Sequence, residues 1–311
     1  MITMTEIAKL THVSQPTVSR VLNGSQTVAP EIRERVLACA REHDYQLNAL
    51  AKGLQGSRTQ LLGVLITDIS NSFFADLAKG IEATARKHGY SIILFNSDYS
   101  PDNEQEYLDV VRRYRVDGVL AVPIRETSTE WQEYAKKLDV PIVSVTRRTR
   151  GLDSVYVDHR QAGALVADHL LDRGFRRFLF IGKETDQKYA GFRRTLGQRG
   201  FGAQILHAAY PDDARLSQAL EAWAHRAPDR GAIFASNDIY ALQTLDALRG
   251  LGLRVPEEIG VIGFDDTSMD RYLNPRLSSV SQPIAQMAQE AVARLLDRIE
   301  HPGQRAILDR P

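Results

Sequence analysis

The spacing of apolar residues changes once along the chain, near residue 60. Before it, apolar side chains recur at intervals of three and four: Ile7, Ala8 and Leu10, then Val18, Val21 and Leu22, then Ile32, Val36, Leu37 and Ala40. Such intervals put residues on one helix face, so three short helices are predicted. Their ends are marked. Thr3 and Glu6 have the spacing of a capping box, Ser14 can cap a second helix with Pro16 in its first turn, Asn23-Gly24 ends that helix, and Pro30 opens the third. After residue 60 the apolar positions form runs: 61–66, 91–95, 119–122, 142–145, 178–181, 204–207, 232–235 and 260–263. Amphipathic stretches such as Phe74-Leu77-Ile81-Ala85 separate them. Apolar strands alternating with helices predict parallel sheets covered on both faces. That many strands in series suggest two lobes, with a junction around Val155-Tyr156-Val157-Asp158. Lobes that face each other enclose a cleft beyond the carboxyl ends of their strands.

The second helix is unusual in its polar face. A helix that only filled a core would not surround Val18 and Val21 with Ser14, Gln15, Pro16, Thr17, Ser19 and Arg20. A helix-turn-helix presents the start of its second helix to the major groove of DNA, which explains small and polar residues there. Arg20 suits the O6 and N7 of guanine and Gln15 an adenine or a phosphate, while Ser14, Thr17 and Ser19 suit phosphate oxygens or backbone capping. Asn23 and Arg33 are candidate phosphate contacts.

Composition narrows the choice. Lys and Arg total 39 and Asp and Glu 39, a net charge of zero, so bulk charge does not drive nucleic-acid binding and a local basic face is required. Cys39 is a single cysteine and the histidines form no HxH or HxxxH pair, so neither a disulfide nor a metal is expected. No apolar run approaches the ~18 residues of a membrane span, and the first residues lack the features of a secretory signal, so a cytoplasmic protein is expected. There is no Gly-rich phosphate loop and no GxSxG elbow, and Gly197-x-x-Gly200-x-Gly202 is not placed between a strand and a helix. No catalytic residue and no cofactor is therefore assigned.

Thr5-Glu6-Ile7-Ala8, Val13-Ser14-x-x-Thr17-Val18-Ser19-Arg20-Val21-Leu22-Asn23 and the later Val36 and Tyr45 together resemble the DNA-binding domain of the LacI/GalR family of bacterial transcription regulators. The similarity extends over essentially the whole chain. It implies an all-α helix-turn-helix domain at 1–46, a hinge helix and linker at 47–59, and at 60–311 a two-lobed α/β domain like a periplasmic binding protein. The first lobe would take about 60–156 plus 284–302, and the second about 157–283 plus 303–311. The hinge matches Asn48-Ala49-Leu50-Ala51-Lys52-Gly53-Leu54-Gln55, in which Leu54 corresponds to the family's minor-groove wedge. A leucine pair from two subunits can unstack and kink a pyrimidine-purine step. The resemblance thus implies a homodimer on a pseudo-palindromic operator with a central CpG, controlled by a small-molecule effector, with no membrane partner.

For the cleft, the resemblance implies Phe73 as the ring that stacks on the effector, Asn71 as its polar neighbour, Asp265 as an acid for ligand hydroxyls, and Asn237 and Asp238 at a strand end facing the same space. Phe74 is expected to begin the helix's buried face, and Asp102, Asp158 and Gln282 are further candidates. A helix cap is the competing role at Asp238. Two departures from the family pattern stand out. Its effector-holding arginine is Lys188 here, and the acid after the fourth strand is replaced by Thr146, followed by Arg147 and Arg148. With Lys183 these make the rim basic, so the expected effector is a sugar or sugar derivative, with an anionic one as the alternative. The competing readings are a sugar-binding protein or an enzyme using the same two-lobed cleft. The final residues stop earlier than the family's usual tail, so a terminal strand is expected to be short.

Overall fold

A computed structural model describes residues 2–22, 24–25, 27–45, 58–124, 128–207, 213–224, 230–274, 276–302 and 309–310. The chain divides into two units, Met1–Gln60 and Leu61–Pro311. The first holds α1 (Met4–Leu10), α2 (Gln15–Leu22) and α3 (Pro30–Glu42). The capping box forms: Glu6 N–H donates to Thr3 Oγ1, and Thr3 N–H donates to Glu6 Oε2 at 2.7 Å. The three apolar faces close on one small core of Ile7, Ala8, Val18, Val21, Val28, Val36 and Ala40. Leu10 and Leu37 remain exposed.

The second unit contains two parallel sheets. One has the order β11-β5-β4-β3-β1-β2, from β1 (Leu61–Ile66), β2 (Ser91–Asn96), β3 (Gly118–Ala121), β4 (Ile142–Thr146), β5 (Asp153–Tyr156) and β11 (Asp309–Arg310). The other has the order β10-β9-β8-β6-β7, from β6 (Arg177–Gly182), β7 (Ala203–His207), β8 (Gly231–Ala235), β9 (Ile259–Asp265) and β10 (Ser278–Ser281). The intervening helices are α4 (Ser72–Lys87), α5 (Pro101–Tyr114), α6 (Ser128–Leu138), α7 (His159–Asp172), α8 (Gln187–Gln198), α9 (Asp213–Ala224), α10 (Asp238–Gly250) and α11 (Ile284–Glu300).

Alternation along each strand explains why both faces are covered. On β1, Leu62, Val64 and Ile66 pack with Leu77 and Ile81 of α4 and with Ala288, Val292 and Leu295 of α11. Leu65 points the other way, into a core with Leu108, Val111 and Trp131. In the second sheet Phe178 and Phe180 of β6 join Phe192 and Phe234 on one face, while Leu179 and Ile181 join Leu220, Trp223 and Leu248 on the other. Burying each such side chain stabilises the fold by about 1.5–3 kcal/mol.

The chain crosses between lobes after β5 and returns through Gln282-Pro283 to α11, which lies on the first sheet. Asp309 and Arg310 pair in parallel with Ser154 and Val155 of β5. This corrects the expectation for the terminal segment: these two residues extend the first sheet, not the second lobe to which 303–311 were allotted. A partly buried ion pair ties the same region together, because Arg298 Nε of α11 meets Asp153 Oδ2 at 2.5 Å.

In the second lobe α7 and α8 approach at two glycines. A Cβ on Gly163 would lie 2.0 Å from the carbonyl oxygen of Lys188, and one on Gly191 2.0 Å from that of Arg160. Only glycine permits that approach, and it fixes where the first turn of α8 stands.

Candidate functional site

In the helical unit, α2 carries the predicted reading face. Ser14 caps it: Thr17 N–H donates to Ser14 Oγ at 3.4 Å, and the Ser14 and Thr17 hydroxyls are 2.8 Å apart. These two serve first as a cap, one of the two roles foreseen for them. Gln15, Pro16 and Arg20 are exposed, Thr17 and Ser19 are half-buried, and Val18 and Val21 face the core. Rigid, capped and amphipathic, the helix can present Gln15 and Arg20 to base edges. Arg33 also has a structural task. Its Nη2 donates to the carbonyls of Ser25 (2.9 Å) and Val28 (3.4 Å), so it braces the α2–α3 loop. Asn23, Leu54 and the hinge at 47–57 lie outside the described residues.

The cleft is assembled from strand ends. Asp265, the last residue of β9, is 5% exposed and accepts a hydrogen bond from Gln282 Nε2 at 2.6 Å. Burial raises its carboxyl to about 7. Lys188 works against that rise, while Asp238 and Asp270 add to it. Thr146, the last residue of β4, and Asp265 have φ of 75° and 136°. Left-handed backbone at a non-glycine residue costs about 1–3 kcal/mol and collects at functional sites.

Lys188 stands at the start of α8, where Asp186 is the N-cap and accepts from Lys188 N–H at 2.9 Å. Its side chain is 12% exposed, with Nζ 3.7 Å from Asp186 Oδ2 and 4.2 Å from the centroid of the Phe264 ring. The ring of His159 meets Phe264 edge-on at 5.5 Å. Burial, then Lys188 and Arg147, push this imidazole down to about 3, so it is neutral at physiological pH. Lys188, His159 and Arg147 line one cavity of about 700 Å³ that also reaches Thr146, Asp158 and Lys183.

Other predicted residues fall elsewhere. The Phe73 ring is 3% exposed and belongs to the core of the first lobe, while Phe74 is partly exposed beside it with ring centroids 5.1 Å apart. Phe73 thus takes the buried position expected of Phe74, which packs partly exposed against the same core. Asn71 is spent as the cap of α4, accepting from Phe73 N–H at 3.0 Å. Asn237 caps α10, accepting from Tyr240 N–H at 2.8 Å. Asp238 is 2% exposed, accepts from Ser279 Oγ at 2.6 Å and from Thr267 N–H at 3.2 Å, and so anchors the segment after β9. Asp158 lines the cavity as the cap of α7, Gln282 positions Asp265, and Asp102 lies exposed in the first turn of α5.

Two residues here had no sequence forecast. Asp270 is buried beside Asp238, and burial together with that neighbour raises its carboxyl. His159 could have been suspected from its place directly after a predicted strand end. Among the described residues no group of three His, Cys, Asp or Glu is placed to hold a metal ion, and no helix is long and apolar enough to cross a membrane.

Residues 3–48 match the model of the bacterial regulatory proteins, lacI family, and residues 167–309 that of the periplasmic binding protein-like domain. Catabolite control protein A of Priestia megaterium is 34% identical over 308 residues, covering 96% of this chain and 92% of the relative. A LacI-family transcriptional regulator from Silicibacter pomeroyi superposes with a TM-score of 0.80 at 26% identity, over 99% of this chain and 95% of that one. A LacI-family regulator from Enterococcus faecium, solved with bound ribose, superposes with a TM-score of 0.69 at 28% identity, over 79% and 92%.

Proposed function

The chain belongs to the lacI family of bacterial regulatory proteins, and on that premise we propose that it is a cytoplasmic repressor that binds, as a homodimer, a pseudo-palindromic operator with a central CpG. It is a DNA-binding transcriptional regulator with a small-molecule effector. The exposed face of α2 carries the reading most directly: Gln15, Pro16 and Arg20 point away from a core that Val18 and Val21 already complete. Arg20 reads a guanine, Gln15 an adenine or phosphate, and Leu54 of each subunit wedges the central step. The ribose-bound relative supports a sugar or sugar derivative as the effector.

Control follows from linkage. A ligand between the lobes shifts the chain toward the closure state it binds better, and changes operator affinity by no more than that difference in affinity, with about 1.4 kcal/mol per tenfold. Lys188 belongs to the second lobe and Arg147 to the first, and both line the same cavity, so a ligand that touches both favours one interlobe angle. Selection of the purified chain on random duplexes tests the proposal. The expected product is an enriched palindrome with CpG at its centre, whose central preference is lost in Leu54→Ala. Enrichment of no palindrome would reject it.

A further inference from the structure

The cavity wall around Lys188 carries more cations than carboxylates. Arg147, Arg148, Arg160, Lys183 and Lys188 line it, with Asp158 and Asp186 as its carboxylates. Neither acid is spare. Asp158 accepts from Gln161 N–H as the cap of α7, and Asp186 accepts from Lys188 N–H as the cap of α8 while also pairing with Lys188 Nζ. Arg160 Nε donates to Gln187 Oε1 at 2.6 Å. Among the described residues no carboxylate pairs with Arg147 or Lys183. The cations come from four separate segments: the loop after β4, the start of α7, the loop after β6 and the start of α8. The glycine contacts between α7 and α8 hold the last of these in place. An excess of cations gathered by the fold onto a concave wall favours an anion there. His159, held neutral within this wall, adds no further charge and brings a ring nitrogen for hydrogen bonding.

We propose that this wall is an anion subsite of the effector cleft, and that the effector is a polyhydroxylated anion whose charged group lies among Arg147, Lys183 and Lys188 while its hydroxyls reach Asp265. The proposal rests on the reading of the cleft as the effector site. A phosphate and a carboxylate share the recognising chemistry, charge-assisted hydrogen bonds from Lys and Arg.

The test uses the full chain in thermal unfolding and calorimetry, at ionic strength matched with sodium chloride. The probes are inorganic phosphate, ribose 5-phosphate against ribose, and gluconate against glucose. The expected result is that at least one anion stabilises the wild type beyond chloride, binds more tightly than its neutral counterpart, and is weakened tenfold or more in Arg147→Gln/Lys183→Gln. Both replaced side chains are exposed, so the fold should be kept, and Arg86→Gln, outside the cleft, serves as the surface control. Ribose 5-phosphate without gluconate identifies a sugar phosphate, and the reverse a sugar acid. The proposal is overturned if no anion exceeds chloride, if the double variant binds unchanged, or if the surface control weakens binding equally. Operator binding by the ligand-free chain is measured in parallel. Its loss with anion binding intact would sink the regulatory reading alone, and the opposite pattern the subsite alone.

Discussion

Asp265 gives the sharpest handle on the cleft, through Asp265→Asn. A carboxyl whose folded value is raised from 3.8 to about 7 keeps its proton in the folded chain after the unfolded chain has lost it. Folding then takes up a proton in that window. The stabilising contribution is complete below 3.8 and is lost as pH rises through about 7. A shift of roughly three units at about 1.4 kcal/mol each gives about 4 kcal/mol as an upper value, because water entering the cleft screens part of it. Asparagine keeps an acceptor for Gln282 Nε2 and carries no charge, so the variant should lack this contribution to the pH profile. Asp270 titrates beside Asp238 and leaves some slope in both proteins, so the difference between the two profiles isolates Asp265. Urea unfolding at fixed protein concentration from pH 4 to pH 8 measures it. The variant should gain on the wild type as pH rises, by about 2–4 kcal/mol in all. Parallel profiles would refute the buried, proton-bearing acid. In Lys188→Gln the loss of the opposing cation should move the wild-type inflection to higher pH.

Gly191→Ala should destabilise the second lobe by about 1–3 kcal/mol or more in thermal unfolding, since its Cβ meets a backbone carbonyl at 2.0 Å. Arg298→Met should cost about 3 kcal/mol by removing the cation that faces the buried Asp153 carboxylate, and Asp153→Leu/Arg298→Met should recover most of it in the same assay. Thr3→Ala should lower the stability of the helical unit by about 1 kcal/mol, read by circular dichroism, through loss of the capping box. Arg20→Ala should cost about 1–3 kcal/mol of operator affinity and relax the preference at one base pair, as measured by fluorescence anisotropy on single-base variants.

Much of the architecture is legible because apolar runs in a parallel sheet are long and bounded by helices. The strands that escaped, Asp153–Tyr156 and Ser278–Ser281, are short and polar and lie at a crossover and a sheet edge, so they show no apolar run, while the terminal strand Asp309–Arg310 is as short as expected but joins the first sheet. The burial of Phe73 is resolvable by counting. Stepping back by fours from Ala85 through Ile81 and Leu77 lands on Phe73, which the core accordingly holds. Arg33 and Asp238 have the residue types of ligand contacts, and only three-dimensional partners reveal that Arg33 also braces loop carbonyls and that Asp238 accepts from the Ser279 hydroxyl. Asp270 left no trace in the sequence, since a carboxyl is forced into contact with Asp238 by a turn rather than by spacing. Lys183, Lys188 and Arg147 were visible as a basic set because the strand ends that carry them could be located first.

The most direct measurement of the central claim is the affinity of the full chain for its selected palindrome against a scrambled duplex of equal length and composition, across a range of salt. The account predicts binding to the palindrome tighter by a factor of about 10³ or more, with both affinities falling steeply as salt rises. Equal affinity for the two duplexes, with the same salt slope, would mean that α2 senses only phosphate charge and would contradict the assignment of Gln15 and Arg20 as readers of sequence.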